Sequence, residues 1–383
     1  MVEVHIVEAL RTPMGRKRGS LSQVHPVDIG AYVLSGLIDR AGIDPDRVDD
    51  VIFGCVGQIG PQSANLARYC WLAAGLPEHV PAVTIDRQCG SSQQAVHFAA
   101  QGILAGSYEI AVAGGVESMN TVPLNSNFEW GPKLGMGLPA EAKQWVKRYG
   151  DEPVHQFTAG DLIARHWNLD RESMDRFAVE SHHRAAAAWD QGRFDSQILP
   201  IEGFERDETI RPDTSMEAVA GLKPIRAGSR LTIGTASQIA DGGSAVLLAS
   251  GDAVRRLGLR SMGIIRGMTV VGSDPKLMLT GPIPATRQLL DKAGLTVADI
   301  DLFEVNEAFA AVVLAWAIET GADLDRTNVN GGAIALGHAL GSTGTRLLTT
   351  LLHELDRRGG RYGVETICEG GGLANATLIE RVP

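Results

Sequence analysis

One stretch of this sequence occurs twice. Residues 38–54 read IDRAGIDPDRVDDVIFG, and residues 290–306 read LDKAGLTVADIDLFEVN. Each has an acidic–basic pair, Ala-Gly, an aliphatic residue, a polar turn, an aliphatic–Asp step and a run suited to a strand. The spacing afterwards also repeats: 47 residues separate Gly42 from Cys89, and 44 separate Gly294 from His338. Cys89 follows Val83-Thr84-Ile85, which reads as the end of a buried strand. A helix then runs from Ser91 through Val96, Phe98, Ala99, Ile103 and Leu104 to Gly106. His338 lies in the glycine-rich turn NVNGGAIALGHALGSTG, which leads into a helix from Thr345 to about Leu355. Tyr108–Gly115 (YEIAVAGG) then matches Tyr362–Gly372 (YGVETICEGGG). Repeats at such distances mean one structural unit present twice.

The second copy returns at once to a strand, Asn375–Ile379. In the first copy the comparable strand is Ser244–Leu248, after a turn at Asp241-Gly242-Gly243. The segment between, residues 117–240, is therefore an insertion with helices of its own. Asp170 is suited to cap the run Met174, Phe177, Ala178, Ala185, Ala188 and Trp189. This gives a first half of residues 1–116 with 241–258, an inserted loop domain at 117–240 and a second half at 259–383. Each half alternates strand and helix, and its last strands are close in sequence. That is an α/β class with mixed sheets packed in layers. Ligands of such sheets sit beyond the strand ends, where helix starts converge. A pseudo-two-fold pairing of the copies brings the Cys89 turn towards the His338 turn.

Composition narrows the function. A net charge of -10 argues against nucleic acid as a general partner, since phosphate binding needs a basic surface. Four widely spaced cysteines suggest neither a disulfide framework nor a metal site. The longest apolar run, Ala308–Ile318, is too short to cross a bilayer, so no membrane partner is expected. The N-terminal MVEVHIVEALRTPMG reads as a strand, not a secretory signal, and Arg381-Val382-Pro383 is no retention or peroxisomal tripeptide. A cytoplasmic location with reduced thiols is the expectation.

Four turns hold residues able to do chemistry: Cys89, Asn306, His338 and Cys368. Unpaired N–H groups at the helix start after Cys89 favour its thiolate, the reactive form. The bland alternative is a buried, inert cysteine. A cysteine and a histidine on separate turns can act as nucleophile and base. Cys368, followed by Gly370, Gly371 and Gly372, suits a second acid and base, or a core position at the end of an apolar strand. The glycines let backbone N–H groups approach a substrate oxygen. Asn306 is either a polar site group or the N-cap before Glu307-Ala308-Phe309. His97 reads as packing, and His182 and His183 as a mostly solvated pair. GHALGSTG lacks both the phosphate-loop lysine and the GxGxxG spacing, so no dinucleotide site is expected.

Taken together, DRQCGSSQQA, NEAF, NVNGGAIALGH and CEGGG resemble the four motifs of the thiolase family, in the same order and across nearly the whole chain. The resemblance implies duplicated βαβαβαββ units with a loop domain inserted in the first. It implies a transferase that cleaves 3-ketoacyl-CoA with CoA, as in β-oxidation, through an acyl-enzyme on Cys89. His338 would take the Cys89 proton, and Cys368 would be the second acid and base. Asn306, through a water, and His338 would hold one oxyanion; the N–H groups of Cys89 and Gly370 would hold the other. CoA is implied as co-substrate, with no permanently bound cofactor, and a homodimer or homotetramer is implied as the assembly. Ser237, in TIGTASQIADGG, matches a family serine near the pantetheine arm. Lys223, Arg226 and Arg230 form a basic cluster suited either to the CoA phosphates or to a solvated loop. The wording is most like bacterial degradative members acting on fatty acids or steroid side chains. The alternatives are a biosynthetic acetoacetyl-CoA thiolase and a non-catalytic CoA or lipid binder. Three departures bear on the acyl chain: Ala339 where many members have proline, Thr235 in place of an asparagine, and Gln156 beside His155 where short-chain members often have methionine.

Overall fold

The two copies lay down their strands in the same spatial order. The structure, a computed structural model, describes residues 2–151 and 155–382. The first half holds β1 (Val4–Arg11), β2 (Gly15–Arg16), β3 (Asp50–Gly54), β4 (Ala82–Ile85), β5 (Ile110–Ser118) and β6 (Ala240–Ser250). The second holds β7 (Gly263–Gly272), β8 (Leu302–Val305), β9 (Tyr362–Glu369) and β10 (Leu373–Arg381). The order across the sheet is β4-β3-β5-β6-β1-β7-β10-β9-β8, with β2 beside β6. β3 runs parallel to β4 and β5, and β8 runs parallel to β9; the remaining pairs are antiparallel. Each half reads the same from its outer edge inwards, and a parallel bridge from Phe303 to Thr327 stands where β4 stands in the first half. The two sheets expected from the repeat are joined into one of ten strands, because β1 and β7 pair at His5–Ile264 and Ile6–Gly263.

The repeated Ala-Gly is explained by helix ends. Gly42 closes the helix Pro26–Ala41 and Gly294 closes Pro282–Ala293, with φ of 64° and 67°. Each glycine N–H turns back to the carbonyls of the last helical turn, a left-handed stop that glycine adopts without strain.

Helices Ser91–Leu104 and Thr343–Arg358 form a central layer that touches both halves of the sheet. Pro26–Ala41 and Leu66–Ala73 cover the outer face of the first half, and Pro282–Ala293 and Ala310–Thr320 that of the second. The central helices carry buried polar groups, and several of these are paired across the layer. Thr345 N donates to Ser92 Oγ at 3.0 Å, and Gln93 Nε2 donates to Glu365 O and Thr377 Oγ1. His97 packs as expected, between Thr377 Oγ1 and Asn375 Nδ2. Glycines make the close approach possible. A Cβ on Gly344 would lie 2.2 Å from Gln93 N, and one on Gly115 would lie 2.0 Å from Gly341 O.

Asp241-Gly242-Gly243 is not a turn. These residues begin β6, paired with Ser118, Glu117 and Val116 of β5. The glycines are there because Met14 presses on one face, its Sδ 2.8 Å from a Cβ on Gly242, and Ile29 presses on the other at Gly243. Between β5 and β6 lie the helices Ser126–Lys133, Lys143–Tyr149, Gln156–His166, Arg171–Asp190 and Met216–Ala220. Asp170 caps the longest of them by accepting from Ser173 N. His182 is buried, not solvated: its Nδ1 accepts from Arg211 N, and burial holds the ring down to about 4. His183 is exposed. Buried Arg11 on β1 makes a two-armed ion pair with Asp207, which fastens this region to the sheet. Among the described residues, no helix is long and apolar enough to cross a membrane.

Gly344→Ala forces Gln93 backbone aside and is expected to cost about 1–3 kcal/mol, the usual range for overpacking. Gly272→Ala, where a Cβ meets open space, is the control. Urea midpoints of both variants check this, and equal midpoints would show that the seam tolerates a methyl.

Candidate active site

Cys89 sits on a turn braced by its neighbours. Asp86 Oδ1 accepts from Gln88 N at 2.7 Å, and Ser91 Oγ accepts from Arg87 N while donating to Gln88 O. These bonds hold Gln88 at φ 50°, a conformation non-glycine residues rarely adopt and one often found at functional turns. Cys89 is 8% exposed and packs against Leu347 and Ile367 of the second half, with Leu340 beside them. The expectation of a thiolate needs correction. Burial, and after it the nearby Glu369 carboxyl, push the Cys89 thiol up to about 12, so the helix start does not prevail. At rest Cys89 is a thiol, and a base must take its proton when it reacts.

His338 lies on the turn before Thr343–Arg358, the helix whose Leu347 packs against Cys89. Burial, and after it Arg346, hold the ring down to about 3, so it is neutral. Its Nδ1 lies 2.7 Å from Thr343 Oγ1, which itself donates to Ala339 O. Thr343 therefore accepts the Nδ1 proton, and the unprotonated Nε2 accepts from Asn306 Nδ2 at 3.3 Å. Ala339, where many family members have proline, is buried, and the turn is held by these bonds. Asn306 N donates to Thr366 O, two residues from Cys368, so it is tied to β9. It is not the cap of Ala310–Thr320, whose N-cap is Phe309. Asn306 Oδ1 is buried without a partner among the described residues, which suits a water or a substrate group there.

Cys368 is fully buried next to Cys89, and its thiol is pushed far up by burial, then by Cys89 and Glu369. Gly370 follows it, and a Cβ there would lie 2.9 Å from Gln88 Oε1. The CEGGG turn therefore lies against the Cys89 turn. Two thiols, and a neutral imidazole paired with an amide that is tied to β9, thus lie where the copies join. Such a set can carry out acyl transfer through a thioester.

The remaining expected residues divide into two groups. Ser237 is partly buried beside the site, since its N donates to Ala308 O and the next residue's carbonyl accepts from His338 N. Thr235 is buried in a local capping pair with Thr232. His155 is exposed and caps Gln156–His166; its ring stacks on Phe157, which meets Phe309 edge-on. Gln156 is half-buried at that helix start. Of the basic cluster, Arg226 pairs with Asp161 and Thr158, and the Arg230 guanidinium donates to Ala164 O and Leu169 O. Lys223 is exposed with no salt bridge among the described residues.

Sequence reasoning missed four residues. Glu117 accepts from Val56 N, Gly57 N, Gly341 N and Gln62 Nε2, tying the loop after β3 to the His338 turn. Glu307 joins Ser181, Asn328 and Ile334 N in the same way, and Gly332 leaves room for it. Thr343 orients His338, and Glu369 adjoins both thiols. An acid closing an apolar strand, as Glu117 does, was the available signal.

Known proteins similar to this chain match it over nearly its whole length. The family model described as thiolase, N-terminal domain, matches residues 4–252, and thiolase, C-terminal domain, matches 259–381. A steroid 3-ketoacyl-CoA thiolase of Mycobacterium tuberculosis is 53% identical over 387 residues, covering 100% of this chain and 95% of that protein. A 3-ketoacyl-CoA thiolase of Serratia proteamaculans is 42% identical over 398 residues, covering 100% of both. The crystal structure of human mitochondrial 3-ketoacyl-CoA thiolase superposes with a TM-score of 0.90 at 38% identity, covering 100% of this chain and 99% of that one. The same enzyme in complex with CoA also gives 0.90, at 38% identity and covering 100% of this chain and 98% of that one.

Thr343→Val keeps the shape of the turn and removes the partner of His338 Nδ1. Turnover is expected to fall about tenfold to a hundredfold with KM little changed, the mark of lost orientation at the reacting centre. Steady-state kinetics check this; unchanged turnover would mean that the ring is oriented by packing alone.

Proposed function

The chain belongs to the thiolase family, and we propose that it is a degradative 3-ketoacyl-CoA thiolase, acting on a 3-ketoacyl-CoA and CoA to give acetyl-CoA and a shortened acyl-CoA. The observation that carries the reading is the meeting of Cys89, His338, Asn306 and Cys368 on turns from both copies of the repeat.

His338 Nε2 takes the Cys89 proton as the sulfur attacks the ketone carbon of the substrate. The bond between that carbon and its neighbour breaks, leaving an acyl group on Cys89 and an acetyl-CoA enolate. Cys368 gives its proton to the enolate carbon. It then takes the thiol proton of the incoming CoA, whose sulfur attacks the acyl-enzyme, and His338 returns the first proton to Cys89. The enolate is a poor leaving group, so donors at its oxygen matter; His338 and a water held by Asn306 supply them. Backbone N–H groups of Cys89 and Gly370 serve the acyl oxygen. One such donor is typically worth about 3 kcal/mol. CoA enters as co-substrate beside Ser237, and exposed Lys223 meets its phosphates. His155 and Gln156 line the approach over Phe157 and Phe309.

The name of the 53% identical relative supports a ring-bearing substrate over a linear one. Residues 117–240 act as the cover for CoA and substrate, between a first half of 1–116 with 241–258 and a second half of 259–383. The working place is the cytoplasm. The assembly is a homodimer, or a homotetramer built from it. The outer edge of β4 has no neighbouring strand among the described residues, and exposed Tyr69, Leu72, Val83, Phe98 and Leu104 are on β4 or on the two helices flanking it in sequence. An open strand edge with apolar side chains around it invites pairing with a second copy.

Brief mixing with linear and ring-bearing 3-ketoacyl-CoAs, without free CoA, should add the shortened acyl mass to Cys89. Cys89→Ser should show no adduct, and Cys368→Ala should acylate but turn over at least a hundredfold more slowly, the order of loss for a missing acid–base group. No adduct from any member of the panel would favour the CoA or lipid binder.

A further inference from the structure

Glu369 is a buried acid that this reaction leaves unused. It ends β9, directly after Cys368, and its surface is fully withdrawn from solvent. Neither carboxyl oxygen has a hydrogen-bond partner among the described residues. A carboxyl kept in that state is costly unless it does something there. Its Oε1 occupies the space left by the missing side chain of Gly90: a Cβ on Gly90 would lie 1.9 Å from it. Gly90 follows Cys89 and is the N-cap of Ser91–Leu104, where no side chain caps the helix start. The carboxyl thus lies against the backbone that carries the reactive thiol.

The groups that face it are few. Arg87 on the Cys89 turn and, from beyond hydrogen-bond geometry, Asn375 N on β10 favour its ionised form, and Asp86 on the Cys89 turn opposes it. Burial outweighs them and holds the carboxyl up to about 8. Cys89 and Cys368 both feel its charge. Two adjoining buried groups do not readily ionise together.

We propose that Glu369 is a charge gate on Cys89, permitting the thiolate to form while the carboxyl is protonated and holding the sulfur as a thiol once the carboxyl has lost its proton. The proposal rests on the reading of Cys89 as the nucleophile. No other group is consumed: the carboxyl proton exchanges with solvent. Glu369 acts through Cys89 and is a positioning residue, not a group that touches substrate.

The test is the rate of Cys89 carbamidomethylation by iodoacetamide, followed by peptide mass from about pH 6 to about pH 9.5, in the wild type and in Glu369→Gln. At about pH 6 both side chains are neutral and the two rates agree. Above about pH 8.5 the variant reacts faster, by about threefold for each unit by which the carboxylate raises the thiol. A rate ratio constant across the range overturns the gate. If Glu369→Gln does not fold, Arg87→Gln serves instead. Losing that cation raises the carboxyl, so the bend in the alkylation profile moves to higher pH; an unmoved bend overturns the gate. Failure of the nucleophile reading is seen separately, as acyl-CoA labelling a residue other than Cys89 in the wild type.

Discussion

Backbone meets backbone where the helices Ser91–Leu104 and Thr343–Arg358 begin, and the chemistry depends on that contact. No side chain fits between Gly344 and Gln93, or between Gly115 and Gly341. Because the helix starts are pressed together, the turns that precede them are too, and those turns hold Cys89 and His338. Glu117 then locks the arrangement, since one carboxylate accepts from Gly341 on one side and from Val56 and Gly57 on the other. Positioning by glycine and a buried acid is stiff in a way that surface ion pairs are not.

Much of this was legible in the sequence, for a definite reason. A duplicated unit repeats its punctuation, so Gly42 and Gly294 mark equivalent helix ends. Nearly equal spacing from them, 47 and 44 residues, places Cys89 and His338 at equivalent turns. What was misread depended on neighbours distant in the chain. Asp241-Gly242-Gly243 has turn composition, yet Met14 and Ile29 require small residues on a strand at that point. Cys89 precedes a helix start, yet burial decides its proton, and burial is set by Leu347 and Ile367. Arg226 and Arg230 look like a phosphate cluster in one dimension, but Asp161 and two carbonyls occupy them in three.

Buried acids were the least legible feature. Glu304 and Glu365 face each other in register on β8 and β9, both held well above the usual carboxylate range by burial. Arg346, on the helix after His338, is buried near enough to favour the charge on each. Each of these acids lies in a strand that reads as apolar, and a one-residue interruption gives no sign of partners some forty or sixty positions away. The same Arg346 helps to hold His338 neutral, so this layer of charge belongs to the site's electrostatics as well as to the core.

The insertion between β5 and β6 makes the two copies unequal as folding problems. β9 and β10 are joined by three residues, so that hairpin closes locally. β5 and β6 are the same kind of neighbours, but 121 residues separate them. Closing the longer loop, before the insertion has structure of its own, costs about 3 kcal/mol more in chain entropy. The C-terminal copy can therefore start from a hairpin near in sequence, whereas the matching pair of its N-terminal twin must wait for a distant strand. Duplication gave the two halves one architecture; the insertion gave them separate timetables.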